Sequence, residues 1–451
     1  MIANDICVGC GACAVLSNGQ ISMTRTADGA CVAKVNTDGD AVVDGAAICP
    51  FSDGAPDEDA HGAHLFGDAP HHDGALGRFR ATFAGYCSEA GWRDNGSSGG
   101  LTSWFLAQAL AEGLIDAVVH VHPSSAYGEL FRYRVSRSVQ QVQSGAKTRY
   151  YSVHFADALA EVRDSGERFA LVGVPCFIKA ARNLAMADKR LNEQMVLAVS
   201  LVCGHMKSAG FAQSLAWQAG VPPDQLVAAD FRVKQQEKAA SQYGFGARSR
   251  GSETMIVVPM ANLAGRRWDG GYHRLKACDY CDDVFGETAD ISFGDAWLPE
   301  FSKDPLGTNI LVVRSELALQ LIERGRQREA LSLVDLAPER AVASQAGGLR
   351  DRREGLSYRL FLDDRTDQWR PGKRVQARSA DIRFLRKLNY RLRRIVRHRS
   401  RKNLRLCKRL HTVLPYRLEM TFWHACFRLL EVIGKKGAWA KKGARPPLDN
   451  P

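Results

Sequence analysis

Apolar residues recur along this chain with two different periods, and their alternation predicts an α/β protein. Short apolar runs predict strands at 117–121, 169–173, 195–202, 255–260, 290–297 and 309–313, and the run at 169–173 predicts a buried one. Apolar residues three and four positions apart predict helices at 101–112, 155–162, 178–184 and 211–219. Strands separated by helices are typical of a mostly parallel or mixed sheet that is covered by helices. Such a sheet binds its ligands at the carboxyl ends of the strands.

The start of the chain departs from this pattern because it contains closely spaced cysteines. Cys7, Cys10 and Cys13 are separated by two residues each, and a distant Cys49 is followed by proline. Three thiolates with this spacing reach three corners of an iron-sulfur cube, and a distant Cys-Pro closes the fourth. Structural zinc and disulfides are the alternatives, but zinc ligands usually come as two separated pairs, and cysteines this close pair poorly among themselves. The spacing predicts a ferredoxin-like 4Fe-4S module.

Four further cysteines stand where a parallel sheet gathers its functional groups. Cys176 and Cys203 each follow a predicted strand, and Cys278 and Cys281 form a Cys-x2-Cys pair. Four thiolates suffice for a second 4Fe-4S cluster. The alternatives are that the first two are small core residues and that the pair is half a zinc site or a redox dithiol. The dithiol is disfavoured because no strand directly precedes the pair.

A turn rich in glycine and serine precedes the predicted helix at 101–112. It contains Asn95, Ser97, Ser98, Gly99 and Gly100. Such a helix start offers capping hydroxyls, close approach to the backbone and the positive end of the helix dipole, which together suit a phosphate. The turn therefore predicts a dinucleotide-pyrophosphate site, although the same residues also form ordinary loops and helix caps.

The net charge of +12 is concentrated at the end of the chain. Residues 370–451 contain 24 Lys and Arg against four acidic residues, which leaves the remainder at −8. Within 382–410, apolar residues at 385, 388, 392, 395 and 396 fall on one face of a basic amphipathic helix. Such a helix suits an anionic membrane surface or an acidic partner. Nucleic acid is not favoured, because nothing in the tail would read bases.

The length and composition of the chain limit how many domains it can contain and which class of protein it belongs to. A chain of 451 residues predicts two to four domains, and 45% hydrophobic with 24% charged residues is ordinary for a globular protein. The first residues contain no signal segment, and no uncharged apolar run reaches the length of a membrane span. We therefore expect a cytoplasmic protein with peripheral contact to the inner membrane surface through its tail. The expected parts are a 4Fe-4S module at 1–55, a linker at 56–78, a flavin-binding core at 79–160 and 161–335, and a basic helical tail at 336–451.

Seven motifs follow one another over about residues 1–315. They are the N-terminal cysteines with Cys49-Pro50, Ser97-Ser98-Gly99-Gly100, Lys147-Thr148-Arg149-Tyr150, Gly173-Val174-Pro175-Cys176, Leu201-Val202-Cys203-Gly204-His205, Cys278-Asp279-Tyr280-Cys281 and Ile291-Ser292-Phe293-Gly294-Asp295-Ala296-Trp297. In this order they resemble the beta subunits of coenzyme F420-dependent hydrogenases and dehydrogenases, together with the related 7-hydroxymethyl chlorophyll reductases.

The resemblance implies an FAD-binding α/β core beside one or more 4Fe-4S clusters. It places FAD phosphate at Ser97–Gly100 and adds Asn95 and Tyr150 to the cofactor-binding residues. It gives Lys147 and Arg149 the task of neutralising phosphate or steadying reduced flavin. Asp295 and Trp297 would close the flavin or cluster pocket, with core packing as the alternative for Trp297, and His205 would deliver a proton near the flavin. Surface salt bridges and a hydrogen-bonded structural histidine are the alternatives.

One departure from the family pattern concerns the histidine. Many members have histidine directly after the equivalent of Cys203, whereas Gly204 intervenes here. The expected function is an iron-sulfur flavoprotein oxidoreductase that passes electrons between a ferredoxin-type donor or partner subunit and a small organic substrate of unknown identity. The alternatives are a non-catalytic electron-relay or assembly subunit and a metal-stabilised protein that binds acidic polymers through its tail.

Overall fold

A computed structural model describes residues 1–36, 45–235 and 238–442. The β-strands are β1 (Ile21–Arg25), β2 (Cys31–Val35), β3 (His71–Asp73), β4 (Gly77–Phe79), β5 (Ala81–Cys87), β6 (Ala117–Pro123), β7 (Phe131–Ser136), β8 (Phe169–Gly173), β9 (Met195–Leu201), β10 (Leu226–Val233), β11 (Gly244–Ser249), β12 (Ile256–Pro259), β13 (Ile291–Asp295), β14 (Asn309–Val313) and β15 (Leu331–Asp335). The α-helices are α1 (Ala12–Val15), α2 (Gly45–Ile48), α3 (Glu58–Leu65), α4 (Trp92–Asn95), α5 (Leu101–Ala111), α6 (Val139–Ser144), α7 (Ala156–Ser165), α8 (Pro175–Ala187), α9 (Lys189–Gln194), α10 (Ala209–Gln218), α11 (Glu316–Gln327), α12 (Pro338–Ser344), α13 (Ala346–Arg350), α14 (Leu356–Asp364), α15 (Phe384–Leu410) and α16 (Leu414–Lys442).

Eight strands form one mixed sheet in the order β15-β5-β14-β13-β9-β8-β6-β7. The four neighbouring strands β13, β9, β8 and β6 run parallel. The flanking strands pair antiparallel. The prediction of an α/β core with a mixed sheet is therefore confirmed, and the parallel part lies at its centre.

Apolar layers cover both faces of this sheet. In β8, Phe169 and Leu171 belong to one buried layer and Ala170 and Val172 to the other. Every residue of β8 and β14 is buried, which explains why their sequences are continuous apolar runs without alternation. The same double burial fixes the strand register, since a slip of one residue would exchange the two faces.

The N-terminal module is packed into this core. Its strands β1 and β2 form an antiparallel hairpin. Ile6, Val8 and Phe51 belong to the same buried cluster as Phe155 and Phe177 of the core. The amide of Phe155 also donates to the carbonyl of Cys10 at 2.9 Å. The described part of residues 1–51 therefore shares its hydrophobic core with the sheet.

The segment at 56–78, expected to be a linker, is instead ordered secondary structure. It contains α3, the strand β3 and part of β4. His61 is 2% exposed, and its Nε2 lies 2.6 Å from Oδ1 of Asn183 in α8. Glu58 is buried as well and pairs with Lys179 at 3.3 Å. The sequence showed no apolar period here because the segment is fixed by buried polar contacts.

The basic tail folds back onto the core. Its α15 contributes four arginines that pair with carboxylates of the preceding segments: Arg386 with Glu354, Arg393 with Asp351, Arg394 with Asp363, and Arg397 with Asp279. Of the apolar face predicted for this helix, Val396 is fully buried, Leu385, Leu388 and Leu392 are half-buried, and Ile395 is 45% exposed. The protein's own core therefore covers part of this face, and the membrane contact expected for the tail stays a prediction.

Helices α15 and α16 form an antiparallel hairpin. Glu419 of α16 accepts from Asn403 and Arg399 of α15, and His411 turns the chain in the left-handed conformation with φ 53°. A buried cluster that includes Leu404, Tyr416 and Met420 holds the two helices together. Within the described ranges, no helix is both long enough and apolar enough to cross a bilayer.

Leu404 and Leu406 of α15 provide a matched test of this docking. Leu404 is 3% exposed, whereas Leu406, two residues later, is 45% exposed. Leu404→Ala should lower the free energy of unfolding by about 2–5 kcal/mol, because it removes buried methyl groups and leaves a cavity. Leu406→Ala should change it by less than about 0.5 kcal/mol. Urea unfolding followed by circular dichroism measures both, and equal effects would contradict the packing of α15.

Candidate functional site

Three neighbouring parallel strands end at one edge of the sheet and deliver functional side chains there. Cys176 follows β8, Cys203 follows β9, and Asp295 ends β13. The carboxyl ends of adjacent parallel strands meet at a common edge, which is where open α/β sheets bind ligands. Cys278 and Cys281 lie on a separate turn. This turn contacts the same edge, since the amide of Met206, three residues after Cys203, donates to the sulfur of Cys278 at 3.2 Å.

These four thiols lie close enough to perturb one another. Burial raises the pKa of the Cys176 thiol well above its usual value, and the charges of Cys281, Cys203 and Cys278 raise it further. Burial likewise raises the pKa of Cys203 to about 12 and that of Cys281 to about 11. The structure thus brings together the four cysteines that the sequence assigned to a second cluster, and we call them the inner thiol group.

An arginine that sequence analysis missed holds the inner thiol group in place. Arg352 is 1% exposed. It donates to the carbonyls of Cys278 at 2.8 Å and Gly204 at 2.6 Å. Its positive charge lowers the pKa of both Cys203 and Cys281, although burial outweighs this effect. No motif marks Arg352, because it comes from a π-helical turn at Asp351–Gly355, far along the chain from the cysteines.

The four N-terminal cysteines also converge. Burial raises the pKa of the Cys10 thiol well above its usual value, and the charges of Cys13, Cys49 and Cys7 add to the rise. Gly9, with φ +73°, passes so close to β2 that a Cβ there would lie 2.2 Å from the carbonyl oxygen of Cys31. Only glycine fits this position. Cys7, Cys10, Cys13 and Cys49 form the outer thiol group.

The two thiol groups are neighbours. The charge of Cys10, from the outer group, contributes to the raised pKa of Cys176 in the inner group. Tyr133 of β7 lies near a cysteine of each group. Burial raises the pKa of its hydroxyl, and the charges of Cys176 and Cys10 raise that pKa further. The hydroxyl of Tyr133 donates to the carbonyl of Val172 at 3.0 Å. Cys10 and Tyr133 belong to one buried cluster, and Cys176 packs against it.

Within the described parts of the chain, no three His, Cys, Asp or Glu side chains are placed to hold a single metal ion.

A narrow cationic cleft opens beside the inner thiol group. Its lining includes Ser97, Arg232, Lys234, Gln235, Tyr243 and Gly307. Burial lowers the pKa of Lys234 to about 8, and the charge of Lys147 lowers it further. Tyr150 lies between the cleft and the thiols. Burial raises the pKa of its hydroxyl, and the charges of the cleft residue Tyr243, of Asp295 and of the thiol Cys203 raise it further.

The turn at Asn95–Gly100 reaches the cleft through Ser97. The hydroxyl of Ser97 accepts a hydrogen bond from the amide of Thr148 at 2.9 Å. Gly99 serves close packing, because a Cβ on it would lie 2.7 Å from Oδ1 of Asn309. That same oxygen accepts from the amide of Leu101, the first residue of α5. The space beside Gly99, where a ligand was expected to approach the backbone, is therefore occupied by Asn309.

Neighbouring residues of the turn have similar structural contacts. Gly100 has φ +79°, and a Cβ there would lie 2.7 Å from the carbonyl of Trp92. Ser98 donates to the carbonyl of Thr308 at 3.2 Å. Asn95 is exposed at the end of α4. Of the turn, Ser97 is the residue that lines the cleft.

The remaining predicted residues occupy distinct places around the cleft. Lys147 has φ +90° and pairs with Asp230 at 3.4 Å. Asp295 pairs with the cleft residue Arg232 at 2.7 Å. Arg149 lies over the ring of Phe131, and burial lowers its pKa to about 10. Lys147 and Asp295 thus shape the charge of the cleft.

His205, the predicted proton donor, is a buried aromatic neighbour of the inner thiol group. It is 6% exposed and stacks on Trp268 with ring centroids 4.3 Å apart. Burial, followed by the charges of Lys207 and Arg274, lowers its pKa well below the usual value. The imidazole is therefore neutral near pH 7, and its Nε2 has no hydrogen-bond partner among the described residues.

Comparison with known proteins identifies the family. Residues 82–160 match the family model for the N-terminal part of the coenzyme F420 hydrogenase/dehydrogenase beta subunit, and residues 166–339 match the model for its C-terminal part. The chain belongs to this family. Both matched segments carry residues that line the cleft or form the inner thiol group.

Two named relatives support the assignment. The chain is 25% identical over 333 residues to one subunit of the F(420)H(2) dehydrogenase of Methanosarcina mazei, a match that covers 70% of this chain and 81% of that protein. It also resembles a chain of the F420-reducing NiFe hydrogenase complex of Methanosarcina barkeri, with a TM-score of 0.50 and 15% identity. That match covers 68% of this chain and 98% of the solved one. Relatives of this chain are thus parts of oxidoreductase complexes.

The titration of Lys234 generates a test of the cleft. Its pKa of about 8 means that its positive charge is present below that pH and is lost as the pH rises through it. ADP-ribose, a pyrophosphate that does not titrate in this range, should bind more weakly at about pH 9 than at pH 7, by up to several-fold. Lys234→Gln should weaken binding at pH 7 and flatten the dependence. Lys238→Gln, which removes an exposed lysine hydrogen-bonded to Gln235, is the control. Titration calorimetry measures the affinity for ADP-ribose at each pH. If the affinity of Lys234→Gln still fell with pH as it does in the wild type, Lys234 would not be the titrating group.

Proposed function

We propose that this chain is an iron-sulfur flavoprotein oxidoreductase. It passes electrons between a ferredoxin-type donor or redox partner subunit and a small organic substrate. The observation that supports the proposal is that the two thiol groups and the cationic cleft are neighbours. Cys10 of the outer group lies near Cys176 of the inner group, and Cys203 of the inner group lies near Tyr150 beside the cleft. When bound, two 4Fe-4S clusters would supply one-electron transfer, and FAD would exchange electrons in pairs.

The donor sets fit four-iron clusters better than single ions. Each thiol group supplies four cysteines, which is the ligand number of a 4Fe-4S cluster. A cube is larger than one ion, so it requires ligands that stand further apart than those of structural zinc. Arg352 presents a buried Nε without a hydrogen-bond partner among the described residues, and a sulfur acceptor there would satisfy it. Its charge would offset the negative charge of four thiolates.

The cleft fits the phosphate-bearing part of a flavin dinucleotide. Its lining includes Lys234, whose ammonium supplies positive charge for phosphate, and Ser97, which supplies a hydroxyl. The remainder of FAD would lie along the sheet edge towards Tyr150. Arg232 and Lys147 are already paired with Asp295 and Asp230.

The alternative of an electron-relay subunit without its own substrate is favoured by one observation. Asp295 is ion-paired and His205 is buried and neutral, so neither is a ready proton donor at the cleft. Substrate-dependent reoxidation of reduced flavin distinguishes the two. An enzyme reoxidises its flavin when an organic acceptor is added, whereas a relay does so only with a protein partner.

Anaerobic reconstitution with iron, sulfide and FAD tests the proposal. The wild-type chain should retain about eight irons and one flavin. A variant with Cys278→Ser and Cys281→Ser should retain about four irons, because it lacks half of the inner thiol group. The matched control is Cys407→Ser, which changes a buried cysteine that contacts Asn403 in α15 and should leave the iron count unchanged. A preparation that binds zinc and no flavin would refute the proposal.

A further inference from the structure

A row of large apolar side chains is exposed along α16, beyond the segments that the family models match. Its members are 45–65% exposed: Leu414, Leu418, Phe422, Leu429, Val432 and Ile433. Their spacings of three, four and seven residues place them on one face of the helix. At 1.5 Å per residue the row is about 29 Å long. We call it the α16 stripe.

The opposite face of α16 is anchored to the protein, so the stripe has a fixed orientation. Tyr416, Met420 and Phe427 are buried with Tyr272 and Val396 in one cluster. The Nε2 of His273 also lies 3.0 Å from the hydroxyl of Tyr416. The stripe is therefore the outward face of a docked helix.

Exposed cations flank the stripe. Arg417 and Arg428 of α16 are exposed and lie eleven residues apart, three turns along one border of the stripe. In α15, Arg409 is exposed near the exposed Leu406 and Leu410, whereas Arg405 pairs with Asp28 at 3.3 Å. Beyond α16's described side chains, the sequence adds Trp439 among five further Lys and Arg.

Among its described side chains, the hairpin offers no free carboxylate to balance these cations. Residues 382–434 contain two acidic residues, Glu419 and Glu431. Glu419 pairs with Arg399 and accepts from Trp423 at 3.2 Å, and Glu431 pairs with Arg267. A second copy of this face would bring arginines against arginines without compensation. The charge pattern instead calls for an occupant that is apolar and negatively charged.

We propose that the α15–α16 hairpin docks on an anionic membrane surface, with the α16 stripe among the acyl chains and the flanking cations at the headgroups. A long apolar face bordered by Lys and Arg is the pattern of a helix that lies in the interface plane. An acidic protein partner fits less well, because large apolar side chains predominate along the stripe and the exposed Thr421 is a small polar exception.

Vesicle flotation of the full chain tests this proposal. The wild-type protein should float with vesicles of phosphatidylcholine containing about 30% phosphatidylserine and not with phosphatidylcholine alone, because lysine and arginine near an anionic surface add to binding. The variant with Leu418→Ser and Phe422→Ser should lose at least about tenfold in partitioning. Arg417→Gln with Arg428→Gln should retain binding only at higher phosphatidylserine content.

A matched control comes from another exposed apolar site. Ile256 and Val257 of β12 are 45% and 46% exposed, so Ile256→Ser with Val257→Ser removes similar side chains without touching the hairpin. This variant should float as the wild type does. Near-ultraviolet circular dichroism of each variant checks that the fold is retained. Three results would overturn the proposal: a wild-type chain that stays with the bottom fraction, a stripe variant that floats equally well, or concentration-dependent dimers that the stripe variant abolishes.

Discussion

Burial of many ionisable groups at one sheet edge is the constraint on which this structure depends. Four thiols and the carboxylates Asp279 and Asp351 lie there, all of them buried or partly buried. Removing such groups from water costs free energy unless partners compensate. Asp351 alone pairs with Arg274 at 2.7 Å and with Arg359 at 3.0 Å. Most of the compensating partners are arginines from the C-terminal segments, namely Arg352, Arg359, Arg393 and Arg397. The C-terminal helices are thereby part of the site's own charge balance.

What could be predicted from the sequence follows from this geometry. Continuous apolar runs predicted β8, β9, β13 and β14 because those strands are buried on both faces. The carboxyl-end rule then placed Cys176 and Cys203 at one edge, and the structure brings them together with Cys278 and Cys281. These predictions needed only the local pattern of apolar residues and the rule that parallel strands gather functional groups at their carboxyl ends.

Other features depended on contacts that no local pattern encodes. Arg352 is distant in sequence from the carbonyls it binds, and α3 is held by the polar contacts of Glu58 and His61 with α8. The arginines of α15 were correctly seen as one basic helix, but their carboxylate partners lie on other segments. A periodic basic helix looks the same in sequence whether lipid or its own core covers it.

The account makes the two thiol groups close neighbours, and the magnetic coupling of their clusters tests this most directly. Electron paramagnetic resonance of the reconstituted, fully reduced protein should show two interacting paramagnetic centres, with broadened signals. Replacing Cys278 and Cys281 by serine should leave one sharp signal. Two sharp signals without interaction in the wild-type protein, or a single centre, would contradict a contiguous path from the outer thiol group to the cleft.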